Sequence, residues 1–145
     1  MTTVRKGLVT DYLTGANPDI NGFKKQFFRD GVPKLGWKRP KDEKNHYKSH
    51  GSVMKADSQE DYTLQANEMA TSWQQGEEMA VVIEPASGKT PSSTIQITGP
   101  HPRFNLRVRL VILVNDAGGA FICTFKPKCP HLKQMIHRLT NDGSS

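Results

Sequence analysis

Residues 107–127 read RVRLVILVNDAGGAFICTFKP, a stretch that predicts a β-hairpin. Its first half alternates with a period of two, the spacing at which strand side chains return to the same face. The two predicted faces are Val108, Leu110, Ile112 and Val114 on one side and Arg107, Arg109, Val111 and Leu113 on the other. The letters NDAGG at 115–119 have the composition of a tight turn, and residues 120–126 supply the returning strand.

The elements before this hairpin begin with helices and end with strands. The clearest helix follows Asp57-Ser58, where Ser58 and Asp61 form a loose capping box. Its apolar stripe consists of Tyr62, Ala66, Met69, Ala70 and Trp73. Residues 80–84 and 94–98 then change to the strand period. The order of elements predicts an α+β fold, with N-terminal helices packed on a twisted antiparallel β-sheet in a single domain.

The remaining segments are assigned from shorter patterns. Apolar residues at helical spacing predict helices over 4–13 and 19–28, and a short basic helix is predicted over 41–49. The stretch 33–40 is rich in proline and glycine and indicates a connector. Four apolar residues at 132–139 predict a closing helix.

Charge is distributed in blocks along the 145 residues, which carry a formal net charge of +6. Residues 24–55 hold ten basic and three acidic side chains, and residues 99–140 hold seven basic and one acidic. Between them, residues 56–98 hold one basic and seven acidic side chains. If both basic blocks fold to one side, the surface is polarised, and a polyanion such as RNA is the natural partner.

The cysteines and histidines do not indicate a metal or cofactor. Cys123 and Cys129 are too few for a disulfide framework, and their spacing to His131 and His137 matches no structural zinc pattern. We therefore expect no metal and no cofactor.

No apolar run is long enough to span a membrane, so membrane insertion is not expected. The first residues also lack the apolar stretch of a secretory signal, so the chain either stays in the cytosol or is delivered by other means.

The segment HYKSHG at 46–51 concentrates groups that can move protons and hold phosphate. In a helix, His46 and His50 share one face at i, i+4 spacing, and Lys48 lies between them in sequence. Histidine can act as general acid or base near neutral pH, which suits metal-free cleavage of RNA. A two-histidine metal pair is the rival interpretation, although Tyr47 stands where a metalloprotease helix carries glutamate.

A second group of candidates lies in the hairpin. In a regular strand, Ile122, Thr124 and Lys126 would share one face, opposite Phe121, Cys123 and Phe125. A hydroxyl beside an ammonium suits a phosphate, and Arg107 and Arg109 on the preceding strand would add two guanidinium groups. An ordinary amphipathic strand is the alternative interpretation of the same pattern.

Two separated motifs resemble the colicin D-like ribonuclease toxins, which occur as C-terminal domains of contact-dependent inhibition and other polymorphic bacterial toxins. The first motif runs from His46-Tyr47-Lys48-Ser49-His50-Gly51 through an acidic cap to Tyr62, Ala66 and Met69. The second is the glycine turn followed by Thr124-Phe125-Lys126-Pro127. The resemblance covers roughly residues 38–130. Val53-Met54 depart from it, since an aromatic residue is usual after the His-Gly pair.

The resemblance implies roles for individual residues. His50 matches the catalytic histidine, Lys48 a basic residue beside it, and Thr124 and Lys126 the polar and basic positions of the last strand. It also implies a tRNA substrate and a small acidic immunity protein that blocks the active face. Residues 1–36 match nothing in the family, and we predict a helical extension or linker there, a ribonuclease-like core over 37–140 and a flexible tail over 141–145.

The leading hypothesis is therefore a metal-independent endoribonuclease toxin that cleaves tRNA through attack of the 2′-OH. His50 would act as general acid or base, with His46 as the second proton-transfer group. Lys48, Lys126, Arg109 and Arg107 would hold the phosphate, and Thr124 would orient it. Such a toxin would be secreted or delivered by a larger system and would act in the cytoplasm of a target bacterium. The alternatives are a non-catalytic RNA- or DNA-binding module and an adaptor that binds an acidic protein.

Overall fold

The computed structural model of the protein describes residues 2–5, 7–15, 19–29, 31, 34–86, 92–115 and 118–128. The helices are α1 (Leu8–Leu13), α2 (Ile20–Phe27), α3 (Pro40–His50) and α4 (Gln59–Gln74). The strands are β1 (Thr2–Thr3), β2 (Gly36–Trp37), β3 (Ala80–Glu84), β4 (Ser93–Pro100), β5 (Arg107–Val114) and β6 (Gly119–Pro127). The predicted α+β fold is confirmed. The predicted closing helix, Cys129, His131 and His137 lie outside the described residues.

The strands form one sheet in the order β1-β6-β5-β4-β3, with β2 also paired to β6. Within the described part of the chain, β2 runs parallel to β6 and the other pairings are antiparallel. The hairpin of β5 and β6 closes as predicted, with Val114 opposite Ala120. Gly118 adopts φ of +90°, and the side chain of Asn115 accepts a hydrogen bond from the Gly119 N–H at 2.9 Å.

A β-bulge interrupts this hairpin and corrects one prediction. Val111 lies opposite Thr124 and Ile112 opposite Ile122, so Cys123 has no partner on β5. An extra residue in one strand shifts the alternation of side chains by one position. Ile122 is therefore buried in the core together with Phe125, not on the face of Thr124 and Lys126 as regular alternation predicted.

Helix α4 packs on one face of the sheet through the predicted stripe. Ser58 accepts a hydrogen bond from the Asp61 N–H at 3.0 Å and so caps the helix. All five stripe residues are buried, namely Tyr62, Ala66, Met69, Ala70 and Trp73. The Tyr62 hydroxyl donates a hydrogen bond to the Phe125 carbonyl and fixes α4 to β6. We call this side of the sheet the core face and the opposite side, which carries Arg109 and Lys126, the outer face.

The first two helices belong to the same hydrophobic core. Phe23 and Phe27 of α2 are buried with Leu8 and Val9 of α1, and Phe27 lies against Trp73 of α4 with ring centroids 6.1 Å apart. The predicted boundary after residue 36 falls inside β2. In the described part of the chain, no helix combines the length and apolarity needed to cross a membrane.

The predicted connector over 33–40 contains a strand that places a side chain at the site described below. Asn67 of α4 accepts a hydrogen bond from the Leu35 N–H at 2.6 Å and donates one to the Leu35 carbonyl at 3.0 Å. This pair of bonds holds the backbone extended before β2, whose Trp37 is in register with Ile122 of β6. Pro40 then starts α3, which suits proline because the first helical N–H has no acceptor within the helix.

Candidate active site

His46 and His50 lie together on one face of α3, as their spacing predicts. Their ring centroids are 5.9 Å apart and the rings are tilted by 36°. Gly51 follows His50, and a methyl group added there would lie 2.5 Å from Cδ1 of Tyr47. The Tyr47 ring thus occupies the space that a larger residue would need. The close approach of the Tyr47 ring therefore explains why glycine follows His50.

Trp37 positions His46 from the side of the core. The indole stacks on the His46 ring with ring centroids 5.0 Å apart. It also stacks on the Tyr62 ring with centroids 6.1 Å apart. Its Nε1 donates a hydrogen bond to the Thr63 hydroxyl at 2.8 Å, which in turn donates to Glu43 at 2.6 Å. Because Glu43 lies three residues before His46 in α3, this chain of bonds ties the indole to the helix whose histidine it contacts.

The electrostatic surroundings favour the neutral form of both histidines. Burial lowers the pKa of His46 below its ordinary value, with Asp42 raising that pKa in part and Lys126 lowering it. Burial also lowers the pKa of His50, and the neighbouring His46 and Lys126 lower it further. Since the ordinary histidine value is about 6.5, both imidazoles are mainly neutral at pH 7 and able to accept a proton.

One nitrogen of His46 is enclosed. Its Nδ1 is shielded from solvent and has no hydrogen-bond partner among the described residues. The Nε2 is therefore the nitrogen of His46 that remains available to a ligand. The orientation of this ring comes from stacking on Trp37, whereas catalytic histidines are more often fixed by a hydrogen bond to the second nitrogen.

The strand candidates meet on the outer face of the sheet. Arg109 of β5 lies directly opposite Lys126 of β6, and Arg107 follows two residues away along the same strand. Thr124 lies on the same face, opposite Val111, and its hydroxyl is 3.8 Å from the Cys123 sulfur. Helix α3, which carries both histidines, contacts β6, and Lys126 of that strand lowers the pKa of both rings. The structure thus places His46 and His50 beside the strand of Lys126, with Arg109 one strand further away.

Lys48 is not part of this group. It is exposed and lies two residues from each histidine in α3. A helix turns by about 100° per residue, so Lys48 projects roughly from the opposite side of the helix. The structure brings together the predicted histidines and Lys126 and leaves Lys48 outside.

The sequence pattern did not single out Trp37. A tryptophan beside glycine in a proline-containing segment indicated only a connector, and its contact with His46 depends on the pairing of β2 with β6. The one local signal was a large aromatic residue in an otherwise basic and polar stretch, LGWKRPK at 35–41. Side chains of this size are rarely left without a packing partner.

Two further observations bear on the type of site. No three histidine, cysteine or carboxylate side chains come together as a metal site in the ranges that the structure describes. Comparison with protein families, curated proteins and solved structures finds no match. The interpretation of the site therefore depends on the geometry of this chain.

Trp37→Ala is expected to raise the pKa of His46 towards its ordinary value. Burial is the main cause of the lowered pKa, and the indole supplies much of the cover over that ring. The measurement is an NMR titration of the His46 ring protons. Trp73→Phe, at the other tryptophan of the chain, is the control and should leave the titration of His46 unchanged. An unaltered His46 pKa in Trp37→Ala would contradict the positioning role.

His101 is a structural histidine and not part of the site. It is buried, its Nδ1 accepts a hydrogen bond from the Arg103 N–H at 3.1 Å, and its Nε2 donates to the Gln65 carbonyl at 2.9 Å. This pattern requires a neutral ring with the proton on Nε2. Burial is the first cause that lowers the pKa of His101.

The protein is accordingly expected to lose stability as the pH falls from 7.5 to 5.5. Because the pKa of His101 is lower in the folded chain, the unfolded chain binds more of a proton there as the pH falls towards and below about 6.5, and the free energy of unfolding falls by at most about 1.4 kcal/mol per pH unit for this group. The lowered pKa values of His46 and His50 also reduce the free energy of unfolding as the pH falls. Urea denaturation at both pH values should show a smaller loss for His101→Gln, whose amide can replace both hydrogen bonds. An equal loss in both proteins would contradict this assignment.

Proposed function

We propose that the protein is a metal-independent endoribonuclease, with tRNA as the expected substrate. The observation that carries the proposal is the pair of imidazoles 5.9 Å apart beside Lys126. Because the two rings share one helix face with centroids this close, we propose that one phosphodiester contacts both of them. Two proton-transfer groups and one cation are the parts that cleavage of RNA through its own 2′-OH needs.

In the proposed reaction, one neutral histidine accepts the proton of the 2′-OH as the 2′-oxygen attacks phosphorus. The bond from phosphorus to the 5′-oxygen breaks, and the other histidine, in its protonated form, donates a proton to that oxygen. The products are a 2′,3′-cyclic phosphate and a 5′-OH. The negative charge of bound phosphate raises the pKa of a nearby imidazole and so supplies the protonated form that the acid requires.

Lys126 is proposed to stabilise the charge that develops on the phosphate oxygens. An ammonium fixed before the reaction begins needs no reorganisation when that charge appears, which is how preorganised donors lower a barrier. The face that includes Lys126 and Arg109 is also suited to an acidic inhibitor, since opposite charges speed association. We propose such an inhibitor as the partner of a toxin delivered into a target bacterium.

A nucleic-acid-binding module without activity is the second candidate. The observation in its favour is the basic pair Arg109 and Lys126, which needs no histidine to bind a phosphate backbone. An adaptor for an acidic protein would use the same charges. Both alternatives predict that the histidines can be replaced without loss of function.

Cleavage is expected to survive chelation of metals. The test incubates the protein with total tRNA with and without EDTA and analyses the ends of the fragments. Discrete fragments with 2′,3′-cyclic phosphate and 5′-OH ends in both samples are the expected result. Loss of cleavage in EDTA that magnesium or zinc restores would contradict the mechanism. Binding of tRNA without any cleavage would favour the second candidate.

A further inference from the structure

Two cations face each other on the outer face of the sheet, and no carboxylate in the described ranges pairs with either of them. Arg109 and Lys126 are direct cross-strand neighbours in the antiparallel pair of β5 and β6. Like charges at such positions destabilise a sheet, because their side chains are held only about 5 Å apart at Cβ. Neither forms an ion pair with a carboxylate of the described residues. The contrast is Arg103, which is held by both Asp61 and Glu68.

The Arg109 guanidinium has a second unusual property. Its Nε is shielded from solvent and has no hydrogen-bond acceptor among the described residues. A buried donor without an acceptor costs stability, and the cost is larger when the donor carries charge. An anion bound between the two side chains would offset the repulsion between Arg109 and Lys126.

The position of Arg109 relative to the histidines indicates which phosphate of a bound chain it would contact. Helix α3 contacts β6, and Arg109 lies on β5, one strand further from the helix. Neighbouring strands are about 4.8 Å apart. Lys126 therefore lies between the histidine pair and Arg109. A phosphate held by the histidines and Lys126 leaves Arg109 beside the next phosphate of the same chain.

We propose that Arg109 forms a subsite for a phosphodiester adjacent to the one that the histidines and Lys126 hold for cleavage. That the ligand is RNA depends on the proposed function. The guanidinium presents planar, paired donors that match two phosphate oxygens. The protein would then prefer oligonucleotides that carry a phosphate beyond the scissile one over dinucleotides, which lack it.

The binding test uses a thymidine hexadeoxynucleotide, which has no 2′-OH and cannot be cleaved by the proposed reaction. Arg109→Ala is expected to weaken its binding at low salt by about ten-fold, as for loss of a charged hydrogen bond. The slope of log K against log salt should fall by about 0.7, the value for one phosphate contact of a single strand. Lys25→Ala removes an exposed cation of α2 as the matched control and should change neither quantity.

Thermal denaturation without ligand distinguishes a binding role from a structural one. Arg109→Ala should melt at the same temperature as the wild type or higher, because repulsion and an unmet hydrogen bond are both removed. A lower melting temperature, unchanged hexanucleotide binding or no binding by the wild type would each overturn the subsite. If the hexanucleotide results are as expected but no RNA is ever cleaved, the proposed function fails, and Arg109 stands as a phosphate-binding residue without an adjacent cleavage site.

The cleavage test compares a ribodinucleoside monophosphate with a longer oligoribonucleotide. Arg109→Ala should lower kcat/KM for the longer substrate by about ten-fold more than for the dinucleotide. An equal loss for both substrates would place Arg109 at the cleaved phosphate and overturn the adjacent subsite.

Discussion

His50→Ala is expected to slow RNA cleavage by about two to four orders of magnitude, the usual contribution of a positioned general acid or base. RNA affinity should fall far less than the rate, because burial, His46 and Lys126 all lower the pKa of His50 and leave it mainly neutral at pH 7 in the free protein. Single-turnover cleavage and equilibrium binding, measured on the same preparations, separate the two effects.

Ser49→Ala is the matched control for this experiment, since Ser49 is the exposed neighbour of His50 in α3. It should cleave and bind like the wild type. Lys126→Ala should weaken both cleavage and binding, because a phosphate contact contributes to each. Wild-type cleavage by His50→Ala would show that the chemistry lies elsewhere or that no proton passes through this ring.

Tyr62→Ala is expected to lower the free energy of unfolding by about 3–5 kcal/mol, the range for truncating a buried aromatic residue. Tyr62 is fully buried and contacts the rings of Trp37, Tyr47 and Phe125. Its hydroxyl donates a hydrogen bond to the Phe125 carbonyl, one residue before Lys126. Urea denaturation gives the free energy directly if the transition is two-state.

Leu64→Ala, two residues along the same helix, is the control because that side chain is 51% exposed. It should change the free energy of unfolding by less than about 0.5 kcal/mol. Tyr62→Phe retains the ring and isolates the hydroxyl, with an expected loss of about 1–3 kcal/mol for the carbonyl left unsatisfied. A small effect of Tyr62→Ala would mean that Tyr62 is not central to the core.

The helix stripe and the hairpin were predictable because each follows a single local period. The residues of α4 that recur every three or four positions are the ones that it buries, and the branched residues of β5 alternate between two faces. The bulge was not predictable, because regular alternation assumes one residue on each strand at every step. β2 was missed because two residues carry no period, and the backbone of the preceding residue, Leu35, is fixed by Asn67 from 32 positions away.

In the candidate site, too, the features set by local spacing were predictable and those set by long-range packing were not. His46 and His50 share a face because both belong to α3, so spacing alone predicted their proximity. Their position near Lys126 depends on the packing of α3 beside β6, which no local pattern encodes. Trp37 was overlooked for this reason. Lys48 was adjacent in sequence but not on the helix face that the histidines use.

The unpaired Cys123 has a consequence for the comparison of related chains. Because Ile122 already pairs with Ile112 and Thr124 with Val111, deleting Cys123 would leave every cross-strand pair on either side unchanged. A one-residue gap at this point of an alignment would therefore preserve the face on which Thr124 and Lys126 lie. A gap of one residue between Thr124 and Lys126 would instead turn the lysine towards the core. Alignments of distant relatives should be anchored on the residues that flank Cys123 and not on the length of the strand.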